Sequence, residues 1–133
     1  MDQELLVEQQ IDAGARFLRE FEKYANVKVA YWSQDDEDGP WYLHVASEKI
    51  DDTNRHDAYG EVNRTVRAMQ DPHLDPFRVK LIGANDPVAR AVFEYQSRFP
   101  AYKLPMRYSG SELAHLGIKE AHIYPSRPAV PVP

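Results

Sequence analysis

The spacing of apolar residues in the first part of the chain predicts a long amphipathic helix over about residues 3–24. These residues recur at intervals of three, four and seven, which places them on one side of an α-helix. They are Leu6, Val7, Ile11, Phe17, Leu18, Phe21 and Tyr24. Gly14 lies inside this segment and disfavours the helix by about 1 kcal/mol relative to alanine. Packing against the rest of the protein must offset that cost.

Two extended runs, at residues 27–32 and 41–47, follow the helix. Both are rich in β-branched and aromatic residues, which is typical of strands. Residues 33–40 separate them and read Ser-Gln-Asp-Asp-Glu-Asp-Gly-Pro, an acidic stretch that ends in turn-forming residues. The pattern therefore predicts an antiparallel hairpin with an acidic tip.

The middle of the chain alternates between helical and strand patterns. Apolar residues at helical spacing predict a helix over about residues 53–70 and another over about 87–99, with a strand at 77–82 between them. Asp51, Asp52 and Thr53 offer N-cap oxygens for the earlier helix. The later helix has a clear start, because Asp86 is a favourable N-cap residue and Pro87 is tolerated at the first helical position.

The last third of the chain contains shorter strand and helix patterns. A strand is predicted over residues 103–108, and Pro105 favours a place at the edge of a sheet. Ser109 and Glu112 have the spacing of a capping box that starts a short helix. A final strand is predicted over 120–124.

Together these elements predict one α/β domain over residues 1–124, followed by an extended proline-rich tail over 125–133. The expected fold is α+β, a two-layer sandwich with a mixed five-stranded sheet in the order α-β-β-α-β-α-β-(short α)-β. The crossovers predict parallel pairing in the middle of the chain. We expect the second and third helices to share one face of the sheet, while the first helix lies beside them or crosses to the other face.

Composition and charge narrow the class of protein. The chain has 133 residues and no cysteine, which excludes disulfides, thiolate metal sites and a thiol nucleophile. The acidic N-terminus and the lack of a long apolar run predict a cytoplasmic protein without a membrane span. The net charge of −5 divides unevenly, with −8 over residues 1–52 and +3 over 53–107. This balance disfavours a protein that coats nucleic acid.

Alternation along the predicted strands indicates a sheet surface with cations and aromatic rings. The strand at 77–82, for example, places Phe77 and Leu81 on one side and Arg78 and Lys80 on the other. The residues expected on the polar side form a candidate binding surface: Lys28, Trp32, Tyr42, His44, Arg78, Lys80, Arg107 and Tyr124.

Two interpretations of this surface stand. It is the solvated side of an amphipathic sheet, or it binds a partner. Aromatic rings and cations suit a protein partner or a second copy of the chain, and they also suit single-stranded nucleic acid. The negative net charge favours a module that contacts protein, with single-stranded nucleic acid as the alternative.

Motifs for metals, cofactors and catalysis do not match. An EF-hand aligned on Gly39 has Gln34 at its first position and Val45 at its twelfth, where a glutamate is required. The junction of Gly83 with Asp86 and Pro87 resembles a phosphate-binding turn in outline, but Asp86 favours simple capping. We therefore expect no metal, no cofactor and no catalytic residues.

A small metal-independent hydrolase remains the alternative to a binding module. His73 lies between Asp71 and Asp75, an arrangement that can orient a general base and is also common in turns. The sequence contains no His-Glu-x-x-His, Gly-x-Ser-x-Gly or phosphate-loop motif.

Overall fold

The computed structural model describes residues 6–34, 39–98, 106–109, 113–118 and 120–125. Three α-helices and five strands lie within those ranges: α1 (Glu8–Phe21), β1 (Val29–Gln34), β2 (Trp41–Ser47), α2 (Arg55–Met69), β3 (Val79–Gly83), α3 (Pro87–Ser97), β4 (Met106–Ser109) and β5 (Glu120–Ile123). Two short 3-10 helices, at Pro76–Arg78 and Ala114–Leu116, complete the set. The predicted element order and the α+β class with a five-stranded sheet are confirmed. Within the described ranges, no helix has the length and apolarity needed to cross a membrane.

The strand order of the sheet is β3-β2-β1-β5-β4. Strands β2 and β3 are parallel, and every other neighbouring pair is antiparallel, so the sheet is mixed as predicted. Parallel pairing in the middle of the chain is confirmed for β2 and β3, which α2 connects. It is wrong for β3 and β4, because they form opposite edges of the sheet and β4 pairs with β5.

The helices lie on both faces of the sheet. Side chains of α1 and α2 pack with Trp32, Leu43 and Val45 on one face, and α3 packs with Val29 and Tyr31 on the other. The expectation that the second and third helices share a face is therefore wrong. The physical reason is the central hairpin, since consecutive residues of β1 and β2 are buried and both of their faces need cover.

The predicted strand at 77–82 begins later than expected. Phe77 and Arg78 belong to the 3-10 helix at Pro76–Arg78, and β3 starts at Val79. The Asp75 carboxylate accepts a hydrogen bond from the Phe77 amide at 2.9 Å and holds the chain in a turn. Phe77 therefore does not join the apolar side of the strand, and 84% of it is exposed.

The ends of the helices confirm one predicted cap and correct another. The Asp86 carboxylate accepts from the amides of Val88 and Ala89, so it caps α3 as predicted. The N-cap of α2 is Asn54, whose side chain makes no capping bond, whereas a cap among residues 51–53 was expected. The strand residues 103–105, the capping-box position at 112 and the tail from 126 lie outside the described residues.

Candidate binding site

The structure divides the eight predicted surface residues between the two faces of the sheet. Strand register places His44 level with Lys80 of β3, on the face that α3 covers in part. Tyr42 belongs to the same face by alternation, and Arg78, in the 3-10 helix before β3, lies over its ring. Trp32, Arg107 and Tyr124 belong to the face of α1 and α2, and Lys28 precedes the first strand.

Tyr42, Phe77, Arg78 and Lys80 form a group that we call the Tyr42 corner. The ammonium of Lys80 lies 4.2 Å from the centroid of the Tyr42 ring, and the guanidinium carbon of Arg78 lies 5.7 Å from it. Both distances allow a cation–π interaction. Arg78 also donates to the carbonyl of Trp41 at 3.5 Å. The three side chains are half-buried, so the ring and both cations reach the surface together.

His44 forms the buried continuation of this corner. Its ring stacks on Tyr31, with centroids 4.8 Å apart and an angle of 8° between the planes. Its Nδ1 lies 3.5 Å from the hydroxyl of Ser33. His44 is buried, so it supports the sheet under the corner and does not offer a surface contact.

Phe77 is held at the corner by its own backbone. Besides the bond from the Phe77 amide to Asp75, the amide of Arg78 donates to the carbonyl of Asp75 at 2.9 Å. Leu74, two residues before Pro76, is buried in the core and fixes the base of the loop. An apolar ring is thus presented to solvent from an ordered turn, and a partner that covers it would remove its apolar surface from water.

The edge of the sheet beside this corner is partly closed. Strand β3 is an edge strand, and the hydroxyl of Tyr59 from α2 accepts a hydrogen bond from the Leu81 amide at 2.9 Å. That amide is therefore satisfied within the chain. A partner at the Tyr42 corner would meet side chains, because strand addition along β3 has to displace Tyr59.

Trp32 and Tyr124 lie in the core, in a chain of hydrogen bonds that links the sheet to α1. The indole Nε1 of Trp32 donates to the Tyr124 hydroxyl at 2.8 Å, and that hydroxyl donates to the carbonyl of Ile11 at 2.6 Å. Only 1% of Trp32 and 7% of Tyr124 are exposed. Burial raises the pKa of Tyr124, partly offset by the Trp32 bond. These two rings stabilise the fold and cannot stack on a ligand in this state.

Arg107 lies on β4, at the edge of the sheet opposite β3. It pairs with Glu120 at 2.9 Å and is level with His122 of β5. The Nε2 of His122 is buried and has no hydrogen-bond partner within the described part of the chain. Burial lowers the pKa of His122, and the charge of Arg107 lowers it further. Arg107 is thus separated from the Tyr42 corner by the width of the sheet.

The histidine between two carboxylates contributes to a turn. The Asp71 carboxylate accepts from the amide of His73 at 2.9 Å and lies 3.1 Å from its Nδ1. Asp71 also forms an ion pair with Arg16 of α1. These contacts fasten the loop to the first helix. In the described ranges, no three histidine, aspartate or glutamate side chains converge as metal ligands.

Sequence reasoning missed Phe77 as a surface residue, because it was counted on the apolar side of a strand. The signal was present in Asp75 and Pro76, which together favour a capped turn over an extended start.

Comparison with known proteins gives no match: no family model fits the chain, and no curated protein or solved structure shows significant similarity to it. The geometry of the site is therefore the basis for a functional proposal.

Proposed function

We propose that the protein is a binding module and that its Tyr42 corner contacts a protein segment with acidic side chains. The observation that carries the proposal is the combination of one ring in contact with two cations and an exposed phenylalanine in the adjoining turn. Aromatic residues and arginine are enriched in protein interfaces, where they supply most of the binding free energy. The cytoplasm is the expected compartment, and fractionation of the expressed protein tests it.

Each part of the corner has a separate role in the proposed contact. Phe77 loses exposed apolar surface when a partner covers it, which stabilises the complex. Arg78 and Lys80 attract carboxylates and orient the partner, and Tyr42 holds their charged groups near one another. The partner that fits is an acidic segment with an apolar residue among its carboxylates.

Single-stranded nucleic acid fits this surface less well. Base stacking needs accessible rings, and the largest candidate, Trp32, is 1% exposed. The Tyr42 corner offers one tyrosine and one phenylalanine, which suit a small protein contact better than a nucleic-acid track.

A displayed library of random twelve-residue peptides, selected on the folded protein, tests the proposal. We expect the selected peptides to be rich in aspartate and glutamate, and to bind about tenfold or more weakly when Arg78→Glu and Lys80→Glu are combined. The matched control combines Lys49→Glu and Arg67→Glu, two exposed cations elsewhere on the protein. Circular dichroism and thermal melting confirm that both double variants are folded.

The same proteins are then titrated with an oligothymidylate and examined by sedimentation velocity. Peptides that bind the Arg78/Lys80 variant and the control equally well contradict the proposal. Binding of the oligonucleotide at the Tyr42 corner, with a steep dependence on salt, also overturns it in favour of nucleic acid. Dimerisation lost only in the Arg78/Lys80 variant identifies a second copy of the chain as the acidic partner.

A further inference from the structure

A cavity of about 240 Å³ lies between α3 and the sheet. Its walls include Val29 of β1, Ala46 of β2 and Ala89 of α3, all of which are buried. Small side chains at these positions leave space that a larger residue would fill. The result is an apolar recess on the same face as the Tyr42 corner, formed by different residues.

Two cations, Lys28 and Arg90, line this cavity. The ammonium of Lys28 lies 5.1 Å from the centroid of the Phe93 ring, which holds it beside α3. Neither cation has a carboxylate partner within the part of the chain that the structure describes. In contrast, Arg16, Lys23, Arg55, Arg64 and Arg107 are each paired with a carboxylate.

The start of α3 explains which groups are available to an anion here. The Asp86 carboxylate already accepts from the amides of Val88 and Ala89, at 2.9 and 3.2 Å. The helix N-terminus is therefore occupied by a residue of the chain itself. An anion in the cavity would be held by the side chains of Lys28 and Arg90.

The volume and the walls limit the ligand. A water molecule takes about 30 Å³ of liquid volume, so a cavity of about 240 Å³ has room for roughly eight non-hydrogen atoms. Apolar walls favour a compact apolar body, and the cations favour a single anionic group on it. We propose that this cavity binds a small organic acid, with its carboxylate at Lys28 and Arg90 and its body against Ala46 and Ala89.

Glu94 also lines the cavity and opposes an anion. It is exposed and lies four residues after Arg90 on α3, so it is at the rim. The same residue limits the number of negative charges that the cavity tolerates. A monocarboxylate therefore fits better than a phosphate or a dicarboxylate.

Backbone-amide NMR titrations at constant ionic strength test the inference with three probes. Benzoate carries both the charge and the apolar body, acetate carries the charge alone, and benzyl alcohol carries the body alone. We expect saturable shifts for benzoate at the amides of Ala46, Ala84 and Ala89, and about tenfold weaker binding of the other two probes.

Substitutions then assign the contacts. Combining Lys28→Met with Arg90→Gln keeps the side-chain stems and should weaken benzoate binding about tenfold, whereas Lys49→Met with Arg67→Gln should not change it. Glu94→Gln, at an exposed site, should strengthen binding by removing the opposing charge. The inference is overturned by shifts that never saturate, by benzyl alcohol that binds as tightly as benzoate, or by affinities that neither the cation variant nor Glu94→Gln alters.

Discussion

Tyr42 and Tyr124 lie on opposite faces of one sheet and have different surroundings. The Tyr124 hydroxyl joins Trp32 to the carbonyl of Ile11 and is enclosed under α1. Tyr42 is half-buried, and its ring contacts Lys80 and Arg78. The difference follows from where the helices lie, because α1 packs over Tyr124, whereas Tyr42 is only partly covered.

An aromatic ring on this sheet has one of two roles, which depend on whether a helix covers it. Where a helix covers the ring, its polar group must find a partner in the protein, and Tyr124 does so through two hydrogen bonds. Where the cover is partial, the ring keeps cations near the surface, as Tyr42 does. Substitutions under α1 should therefore change stability, whereas substitutions at the Tyr42 corner should change binding.

The largest expected effect is at Gly14, where α1 approaches the Tyr124 face most closely. A Cβ atom at this position would lie 2.3 Å from the Tyr124 hydroxyl and 3.1 Å from the Nε1 of Trp32. Gly14→Ala should therefore destabilise the protein by about 2 kcal/mol or more, despite a gain of about 1 kcal/mol in helix propensity. Urea unfolding followed by circular dichroism measures the change.

Gly60 in α2 is the matched control for this substitution. A Cβ added there meets no atom within 4 Å. Gly60→Ala should therefore stabilise the protein by roughly 0.5–1 kcal/mol. Equal effects at the two glycines would show that α1 does not approach Trp32 and Tyr124 this closely.

A smaller effect is expected when the two tyrosine hydroxyls are removed in turn. Tyr124→Phe leaves the buried Trp32 Nε1 without its partner and removes the hydroxyl's bond to the Ile11 carbonyl, so it should cost about 1–3 kcal/mol. Tyr42→Phe keeps the ring and its cation contacts, so its unfolding free energy should change by no more than about 0.5 kcal/mol. A Tyr42→Phe variant as unstable as Tyr124→Phe would contradict the division between a structural and a surface tyrosine.

Local patterns in the sequence predict the elements of this fold well. The helical spacing of Phe17 and Phe21 marks α1, and Asp86 with Pro87 marks the start of α3. The hairpin of β1 and β2 also follows from its composition. In each case the deciding interactions are between residues close in sequence. The pattern of one sequence is therefore enough to predict them.

The allocation of helices to faces could not be predicted in the same way. Alternation placed both Trp32 and Tyr42 on the polar side of the sheet. They lie on opposite faces, because Trp32 is level with Leu43 in the neighbouring strand. The register between two strands is set by the hairpin loop and by contacts across the folded sheet, and alternation within one strand does not contain it. The edge positions of β3 and β4 have the same origin, because β5 returns to pair with β1 and separates them.

The candidate site was therefore predicted in part. Arg78 and Lys80 were expected on one side with Tyr42, and the structure brings these three together. Trp32 and Tyr124 were expected there and lie in the core. Alternation alone cannot distinguish a ring that a helix covers from one that remains at the surface.

The smallest effect concerns His122, which lies on β5 level with Trp32 of β1. Its Nε2 is buried without a partner, and burial together with Arg107 lowers its pKa below 6.5. Well above pH 6.5, His122 is neutral in both the folded protein and the unfolded chain. As the pH falls through 6.5 and then through the lower pKa of the folded protein, the unfolded chain binds the proton first, so the free energy of unfolding decreases.

His122→Asn removes this titration while keeping a polar side chain of similar size. As the pH falls from about 8 to 5, the unfolding free energy of wild type should therefore decrease relative to that of His122→Asn. The decrease should be well under about 1.4 kcal/mol per pH unit, the limit for one proton. Contributions that the two proteins share cancel in the difference. His56→Asn, at an exposed position of α2, is the matched control. Urea unfolding at five pH values decides the point, and parallel curves for wild type and His122→Asn would show that this histidine is as well solvated in the folded protein as in the unfolded chain.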